Sequence, residues 1–343
     1  MHFLLSLLYN IPIVRYTDHL SQTPAVYRAI NTNKSFIKEL ILQKCLPLSP
    51  IPTGLEPDCE GRFNARAVLF DIYGTLLISG SGEVGSSTYD NNGVTVTPNF
   101  YRVLDECGIV VHVGPEEFNS LCHQRFLDYI CNRHEQLKTQ GVEFPEVDIL
   151  SIWHRLLSEL SLAGVIEVQM DAGILVKTAL LFELSSNPTW LMPEASDVLR
   201  ELGNEGHILG IISNAQFYTP LILETLFDRS LDELGFAADA MSWSYLHNFA
   251  KPSLDLFSSV LKNLHKRGIA PDKVIYVGND MRNDVSTARR LGLGTVLFAG
   301  DRRSLRLRKG ENHQLQTCTP DAIITELRDL LHIVFYDHAD AKE

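Results

Sequence analysis

Four apolar residues, Ala67-Val68-Leu69-Phe70, run directly into Asp71 and a turn, Ile72-Tyr73-Gly74-Thr75-Leu76. A short apolar run of this kind reads as a buried strand, and its terminal carboxylate then stands at the C-terminal edge of a sheet. Open α/β sheets bind their ligands in the crevice at that edge. Gly74 lets the chain turn away at once, and Thr75 can tie the turn through its hydroxyl. A carboxylate held there can act as a nucleophile or a metal ligand; the plainer alternative is an Asp that caps a turn.

The later segments repeat the pattern. His207 to Ile212 forms an apolar run ending in Ser213-Asn214, and Lys273 to Val277 one ending in Gly278-Asn279-Asp280. Gly294 to Phe298 and Ala322 to Ile324 read as further strands. Helical spacing is expected over Ala195–Leu202, Pro220–Phe227, Pro252–Lys266 and Asp284–Leu291. Apolar strands alternating with amphipathic helices predict an α/β fold with a doubly wound parallel sheet. Residues 96 to about 185 carry apolar spacing of helical period and no convincing strand, which predicts a helical insert. The expected division is an N-terminal extension and linker over 1–64, an α/β core over 65–80 and 190–335, and a helical insert over 81–189. One helix is expected over Tyr27–Gln43, and four prolines between 45 and 64 read as a linker. The small residues Ser79 to Ser87 suggest a hinge.

Three strand ends should therefore converge, bringing together Asp71, Ser213 with Asn214, and Asn279 with Asp280. Lys251 precedes Pro252, which is expected to fix a helix start, and Asp284 opens the next helix. These segments resemble, in order, the four motifs of the haloacid dehalogenase-like (HAD) hydrolase superfamily, over roughly residues 65 to 335. The helical insert lies where that family carries an α-helical cap, so the resemblance implies a Rossmann-like core with an inserted cap domain. It further implies that Asp71 attacks phosphorus or an alkyl carbon and becomes covalently modified. Lys251 and a Mg²⁺ ion would neutralise the negative charges, and Ser213 would hold a phosphoryl oxygen. The implied catalytic residues are Asp71, Tyr73, Ser213 and Lys251. The implied metal ligands come from Asp71, Tyr73 (through its carbonyl), Asn279, Asp280 and Asp284. Thr75, Asn214 and, from the cap, Arg125 are the candidates for substrate binding, with His123, His134, His154 and Arg155 as further cap residues.

Two departures from the family pattern matter. Its phosphatases carry a second Asp two residues after the nucleophile, as general acid and base. Here that residue is Tyr73, a poor base at neutral pH. The Asp-x-Tyr-Gly-Thr form resembles the 2-haloacid dehalogenase branch, whose halide leaving group needs no proton. In the fourth motif Asn279 replaces the usual acid and Asp280 follows it, so either could be a ligand. The retained acids Asp280 and Asp284 favour a metal. The expectation is a Mg²⁺-dependent phosphatase for a small phosphate ester. The alternatives are a dehalogenase-like hydrolase and a non-catalytic binding protein of the same fold.

Composition excludes other classes. A formal net charge of -12, from 30 basic and 42 acidic residues, argues against nucleic acid. Arg302 to Lys309 then reads as a solvated face or a helix end. The six cysteines are scattered without zinc spacing, which favours reduced thiols and a cytoplasmic location. The apolar stretch Met1–Tyr9 is too short to span a bilayer and reads as a packing segment. The expected partner is a small-molecule substrate, not a membrane, and a homodimer is left open.

Overall fold

The computed structural model describes residues 19–81, 99–308 and 318–335. The Met1–Tyr9 stretch and the hinge residues after Ser81 lie outside the described residues. The chain begins with α1 (Pro24–Thr32), α2 (Lys34–Lys44), β1 (Phe63–Asn64), β2 (Ala67–Phe70) and β3 (Leu77–Ser79). The insert holds α3 (Phe100–Glu106), β4 (Val110–Val111), α4 (Pro115–Thr139), α5 (Ile149–Leu162), β5 (Ile166–Glu167) and α6 (Ala172–Ser186). The chain returns through β6 (Thr189–Leu191), α7 (Ala195–Asn204), β7 (Ile208–Ser213), α8 (Tyr218–Phe227), β8 (Phe236–Trp243) and α9 (Asp255–Lys266). It ends with β9 (Val274–Gly278), α10 (Thr287–Arg290), β10 (Gly294–Phe298), β11 (Ala322–Ile324), α11 (Leu330–Ile333) and β12 (Val334–Phe335).

Six of these strands form one sheet in the order β11-β10-β9-β2-β7-β8, parallel throughout. β2 lies inside it, and its side chains alternate between two apolar layers. Val68 and Phe70 join the layer containing Val198 and Leu202 of α7. Ala67 and Leu69 join the opposite layer with Leu256, Phe257 and Val260 of α9. This is the doubly wound α/β sheet expected from the sequence. Asp71, at the end of β2, is carried to the sheet's C-terminal edge, between the ends of β7 and β9.

The antiparallel pair β3–β6 marks where the chain leaves the core and returns. Between them α3 to α6 close around an aromatic cluster. The Trp153 ring lies 5.7 Å from Phe100, 5.3 Å from Phe126 and 5.1 Å from Phe182. Trp153 is fully buried and belongs to the cap core. The insert is not wholly helical, because β4 and β5 pair in antiparallel fashion.

The extension departs from expectation in two ways. Its single expected helix is two, broken at Asn33, whose side-chain amide donates to the Ala29 carbonyl at 2.8 Å. The proline-rich stretch after it is laid against the core and bonded there. Thr53 Oγ1 donates to the Ala299 carbonyl at 2.9 Å, and Asp58 and Ile323 exchange backbone bonds at 2.8 and 2.9 Å. Prolines lack an N–H, so the surviving donors and carbonyls carry this docking. The helix after Lys251 begins at Asp255, three residues later than expected, and the Lys251–Pro252 bond is cis.

One cap segment, residues 144–149, is bonded to the core loops around the third motif. Ala250 N donates to the Phe144 carbonyl at 2.8 Å and Glu146 N to the Asn248 carbonyl at 2.9 Å. The Glu146 carboxylate accepts from Ser244 Oγ at 2.7 Å, Val147 N at 2.9 Å and Gln216 Nε2 at 3.2 Å. The extension reaches the same place, where Ser21 N donates to Asp148 Oδ2 at 2.7 Å. Although Glu146 is only half-buried as a residue, burial of its carboxylate pushes its pKa up to about 7. A carboxyl that binds its proton more tightly when folded stabilises the fold fully below its ordinary value of 4.5, and that contribution is lost as pH rises to about 7. We predict that Glu146→Gln flattens the fall in stability between these pH values, by on the order of 2 kcal/mol. Urea denaturation across that range checks it, and an unchanged slope counts against the assignment.

Candidate active site

Two carboxylates and a lysine meet at the sheet edge. Lys251 Nζ lies 2.7 Å from Asp71 Oδ1 and 2.6 Å from Asp284 Oδ1. It also donates to Tyr276 OH at 3.1 Å, and that hydroxyl donates in turn to the Ile212 carbonyl at 2.6 Å. Side-chain exposure grades the trio: Asp284 is 1% exposed, Lys251 3% and Asp71 11%. Asp71 is therefore the carboxylate a ligand can reach, with the other two behind it. Burial pushes the Lys251 amine down, but Asp284 and Asp71 outweigh it and leave the pKa raised. Lys251 thus stays protonated. Burial pushes the Asp284 carboxyl up against the opposing pull of Lys251.

The second motif positions Lys251. Asn214 Oδ1 accepts from Lys251 N at 2.7 Å, and Asn214 Nδ2 donates to the Lys251 carbonyl at 3.4 Å. Asn214 was expected to bind substrate, but its amide is occupied by the Lys251 backbone. Ser213 is fully buried at the end of β7, and its hydroxyl donates to the Asn214 carbonyl at 3.3 Å.

Tyr73 takes an unexpected course. Its hydroxyl is bonded to Thr219 Oγ1 at 3.1 Å, inside the protein. Burial and then the charge of Glu183 raise its pKa well above 10. The Tyr73 side chain, expected among the catalytic residues, is thus directed to the start of α8, where its hydroxyl forms a tether. The adjacent Tyr218 donates to the buried Glu183 of α6 at 2.8 Å. Gln216 Oε1 accepts from Ile149 N at 3.0 Å, and its Nε2 donates to the Val147 carbonyl at 2.8 Å. The turn after the second motif thus holds both the cap and the first motif.

The fourth motif is packed against the first. Thr75 Oγ1 donates to Asn279 Oδ1 at 3.4 Å, and Asn279 Nδ2 donates to the Ser304 carbonyl at 2.6 Å. A Cβ on Gly74 would come within 2.6 Å of Asn279 Nδ2 and 2.4 Å of Ser304 Cβ. Asp280, and not Asp284, caps the helical turn Met281–Ser286, accepting from Arg282 N at 2.8 Å and Asn283 N at 3.1 Å. It is also paired with Arg308 Nη2 at 2.6 Å. Arg303 pairs with the buried Asp301 at 2.7 Å. Arg303 and Arg308 are therefore paired with buried acids and do not form a solvated face, whereas Arg302 is exposed and Lys309 lies outside the described residues.

In the cap, Arg155 stacks 4.3 Å above the Tyr129 ring and pairs with Glu159 at 3.0 Å. Arg125 is half-buried on α4, within electrostatic range of the Tyr129 hydroxyl. Neither is joined to Asp71 by a hydrogen bond or ion pair among the described residues.

Residues 65–292 match the haloacid dehalogenase-like hydrolase family. The chain belongs to that family. An uncharacterized hydrolase of Schizosaccharomyces pombe is 33% identical over 88 residues, which is 25% of this chain and 36% of that protein. A predicted phosphoglycolate phosphatase from Haemophilus somnus is 18% identical, covering 80% of this chain and 99% of its own, with a TM-score of 0.42. The L-2-haloacid dehalogenase of Xanthobacter autotrophicus, with chloropropionic acid covalently bound, is 19% identical, covering 78% and 97%, with a TM-score of 0.40.

HAD hydrolases commonly use Mg²⁺. Among the described residues, no group of three or more His, Cys, Asp or Glu could hold a metal ion. The residues at the edge suit a different donor set: the Asp71 carboxylate, the Tyr73 carbonyl and the Asn279 amide oxygen. These are hard oxygens of low total charge, which suits an ion that keeps several of its waters. Only a glycine at position 74 lets Asn279 approach the turn so closely.

Sequence reasoning missed Tyr276 and Ser304 as contributors to the site and read Arg308 only as part of a solvated face or a helix end. Alternation along β9 marks Tyr276 as buried, but nothing local shows that its hydroxyl meets Lys251. Gly74, with φ of 84°, adopts a backbone conformation that L side chains rarely take. We predict that Gly74→Ala lowers stability by about 1–3 kcal/mol through strain and overpacking. A urea midpoint equal to wild type would contradict the packing described here.

Proposed function

We propose that the protein is a Mg²⁺-dependent phosphatase that cleaves small phosphate esters through an aspartyl-phosphate at Asp71. The observation that carries this reading is the Asp71–Lys251–Asp284 chain, in which only Asp71 is open to a ligand. An Asp71 carboxylate oxygen attacks phosphorus. The new P–O bond forms as the bond to the leaving oxygen breaks, and that oxygen departs with the electron pair. Water then attacks the phosphorus of the aspartyl-phosphate, and inorganic phosphate leaves with Asp71 restored. Lys251 holds Asp71 in place and offsets negative charge as the phosphoryl group arrives. Counting Asp71, Asp280 and Asp284 against Lys251 and Arg308, the edge carries more negative than positive charge. A phosphate dianion would add to that excess, which supports a bound cation. Mg²⁺ held by Asp71, the Tyr73 carbonyl and Asn279 would supply that charge.

Tyr73 supplies no general acid beside Asp71, since its hydroxyl is committed to Thr219. The leaving group must therefore be a good one, and aryl or other activated phosphates suit the site better than alkyl esters. A missing general acid typically costs about 10²–10⁴ in rate. The same observation favours a second reading, displacement of halide from a 2-haloacid by Asp71, because halide leaves without a proton.

Hydrolysis of an aryl phosphate with and without Mg²⁺ tests the main reading. Turnover is expected to need the metal and to vanish in Asp71→Asn. Tyr73→Phe is expected to keep turnover within about threefold, because its hydroxyl takes no part in proton transfer. Loss of activity in Tyr73→Phe comparable to Asp71→Asn would return the hydroxyl to the chemistry. Halide release from 2-haloacids without metal, with no phosphate release, would move the assignment to the second reading.

A further inference from the structure

The segment Asp301–Arg308, which follows β10, is bonded along the fourth motif like a short extra strand. Arg306 N donates to the Asn279 carbonyl at 2.9 Å, and Met281 N donates to the Arg306 carbonyl at 2.9 Å. Asp301 anchors its start: it is buried, paired with Arg303, and its carbonyl accepts from Leu305 N at 3.0 Å. At its end Arg308 sets a fork on Asp280, with Nη2 at 2.6 Å from Oδ2 and Nε at 3.2 Å from both oxygens.

This matters because Asp280 has little acceptor capacity left. Its Oδ1 already serves the N–H groups of Arg282 and Asn283, and its Oδ2 accepts from Asn283 Nδ2 at 3.0 Å. A carboxylate offers about four lone-pair sites. Here five donors from three residues converge on one. A guanidinium fork is also a charge-assisted bond of the stronger kind. A divalent ion could bind Asp280 only after displacing Arg308. Asn279 is differently placed: its Oδ1 takes one long bond from Thr75, and its Nδ2 is fixed on Ser304.

We propose that Arg308 serves as an internal counter-ion that withholds Asp280 from the metal, so that Asn279 takes the ligand position and Arg308 sets how tightly the protein binds Mg²⁺. The proposal rests on the metal-dependent reading above. It adds a residue from outside the four motifs to the control of metal affinity. The physical reason is competition: two cations, one tethered and one from solution, seek the same carboxylate. The tethered one holds it with a fork and no loss of translational freedom.

Titration calorimetry of the full-length protein with MgCl₂ tests this without turnover. Arg308→Gln is expected to tighten Mg²⁺ binding roughly tenfold, the scale seen when groups around metal ligands are changed. The same substitution in an Asp280→Asn background is expected to tighten it clearly less, because there is no carboxylate to release. Equal tightening in both backgrounds would reduce Arg308 to long-range charge and overturn the proposal. Mg²⁺ binding by wild type that is unchanged in Arg308→Gln would overturn it too, with the metal-dependent reading left standing. Binding in neither protein would remove both. If Arg308→Gln does not fold, Arg308→Lys keeps the charge but loses the fork. It is then expected to bind Mg²⁺ more tightly than wild type, and no tightening overturns the proposal.

Discussion

Lys251, buried between Asp71 and Asp284, is the contact on which the site depends. Asp71 at the end of β2 and Asp284 in the helical turn after β9 repel each other, and enclosing them multiplies the cost. The ammonium between them removes that cost and holds Asp71 at the only open corner. The Tyr276 hydroxyl and the Ile212 carbonyl continue the network into the sheet. Loss of the lysine would leave two buried anions unpaired, so chemistry and local stability share one side chain.

The surrounding structure serves to place that lysine. Lys251 sits in a loop, not at the start of a helix, and a loop needs external support. Asn214 clasps its backbone from the end of β7, while cap residues 144–149 bond to the residues just before it. The extension adds Ser21 on Asp148 and His19 on Asn248 at 2.9 Å. Cap, extension and third motif are thus fastened together through buried and partly buried polar groups. A displacement of the cap would be felt at Lys251 through short, directional bonds. Glu146 and Glu183 lie in this network with no cation beside them among the described residues, and burial raises both of their pKa values.

Tyr73 shows how one substitution redirects a motif. In place of a carboxylate beside the nucleophile, the chain has a phenol that reaches back to Thr219. The position no longer supplies a proton and instead ties the first motif to α8. On the proposed reading, the substrate then provides a leaving group that departs without a proton from Tyr73. Asn279 likewise trades a charge for an amide, while the neighbouring Asp280 retains its charge but directs it to Arg308.

Much was legible in the chain itself. The parallel sheet and its strand ends, with Asp71, Ser213 and Asn279 at them, follow from apolar runs that stop at polar residues, while Lys251 and Asp284 were marked by their place in the motif order. That pattern is local and periodic, and burial on both faces leaves little freedom in how it folds. The direction of individual side chains was not legible. Whether Tyr73 points to substrate or to Thr219, whether Asp280 meets a metal or Arg308, and whether the proline-rich stretch is loose or docked all depend on contacts between residues distant in sequence. Hydrogen bonds and ion pairs are directional, and their partners are set by which segments the fold brings together. The sequence by itself therefore determined the sheet and the set of reactive groups at its edge. Only the tertiary structure decided which of those groups are open, which are neutralised, and which serve to hold another in place.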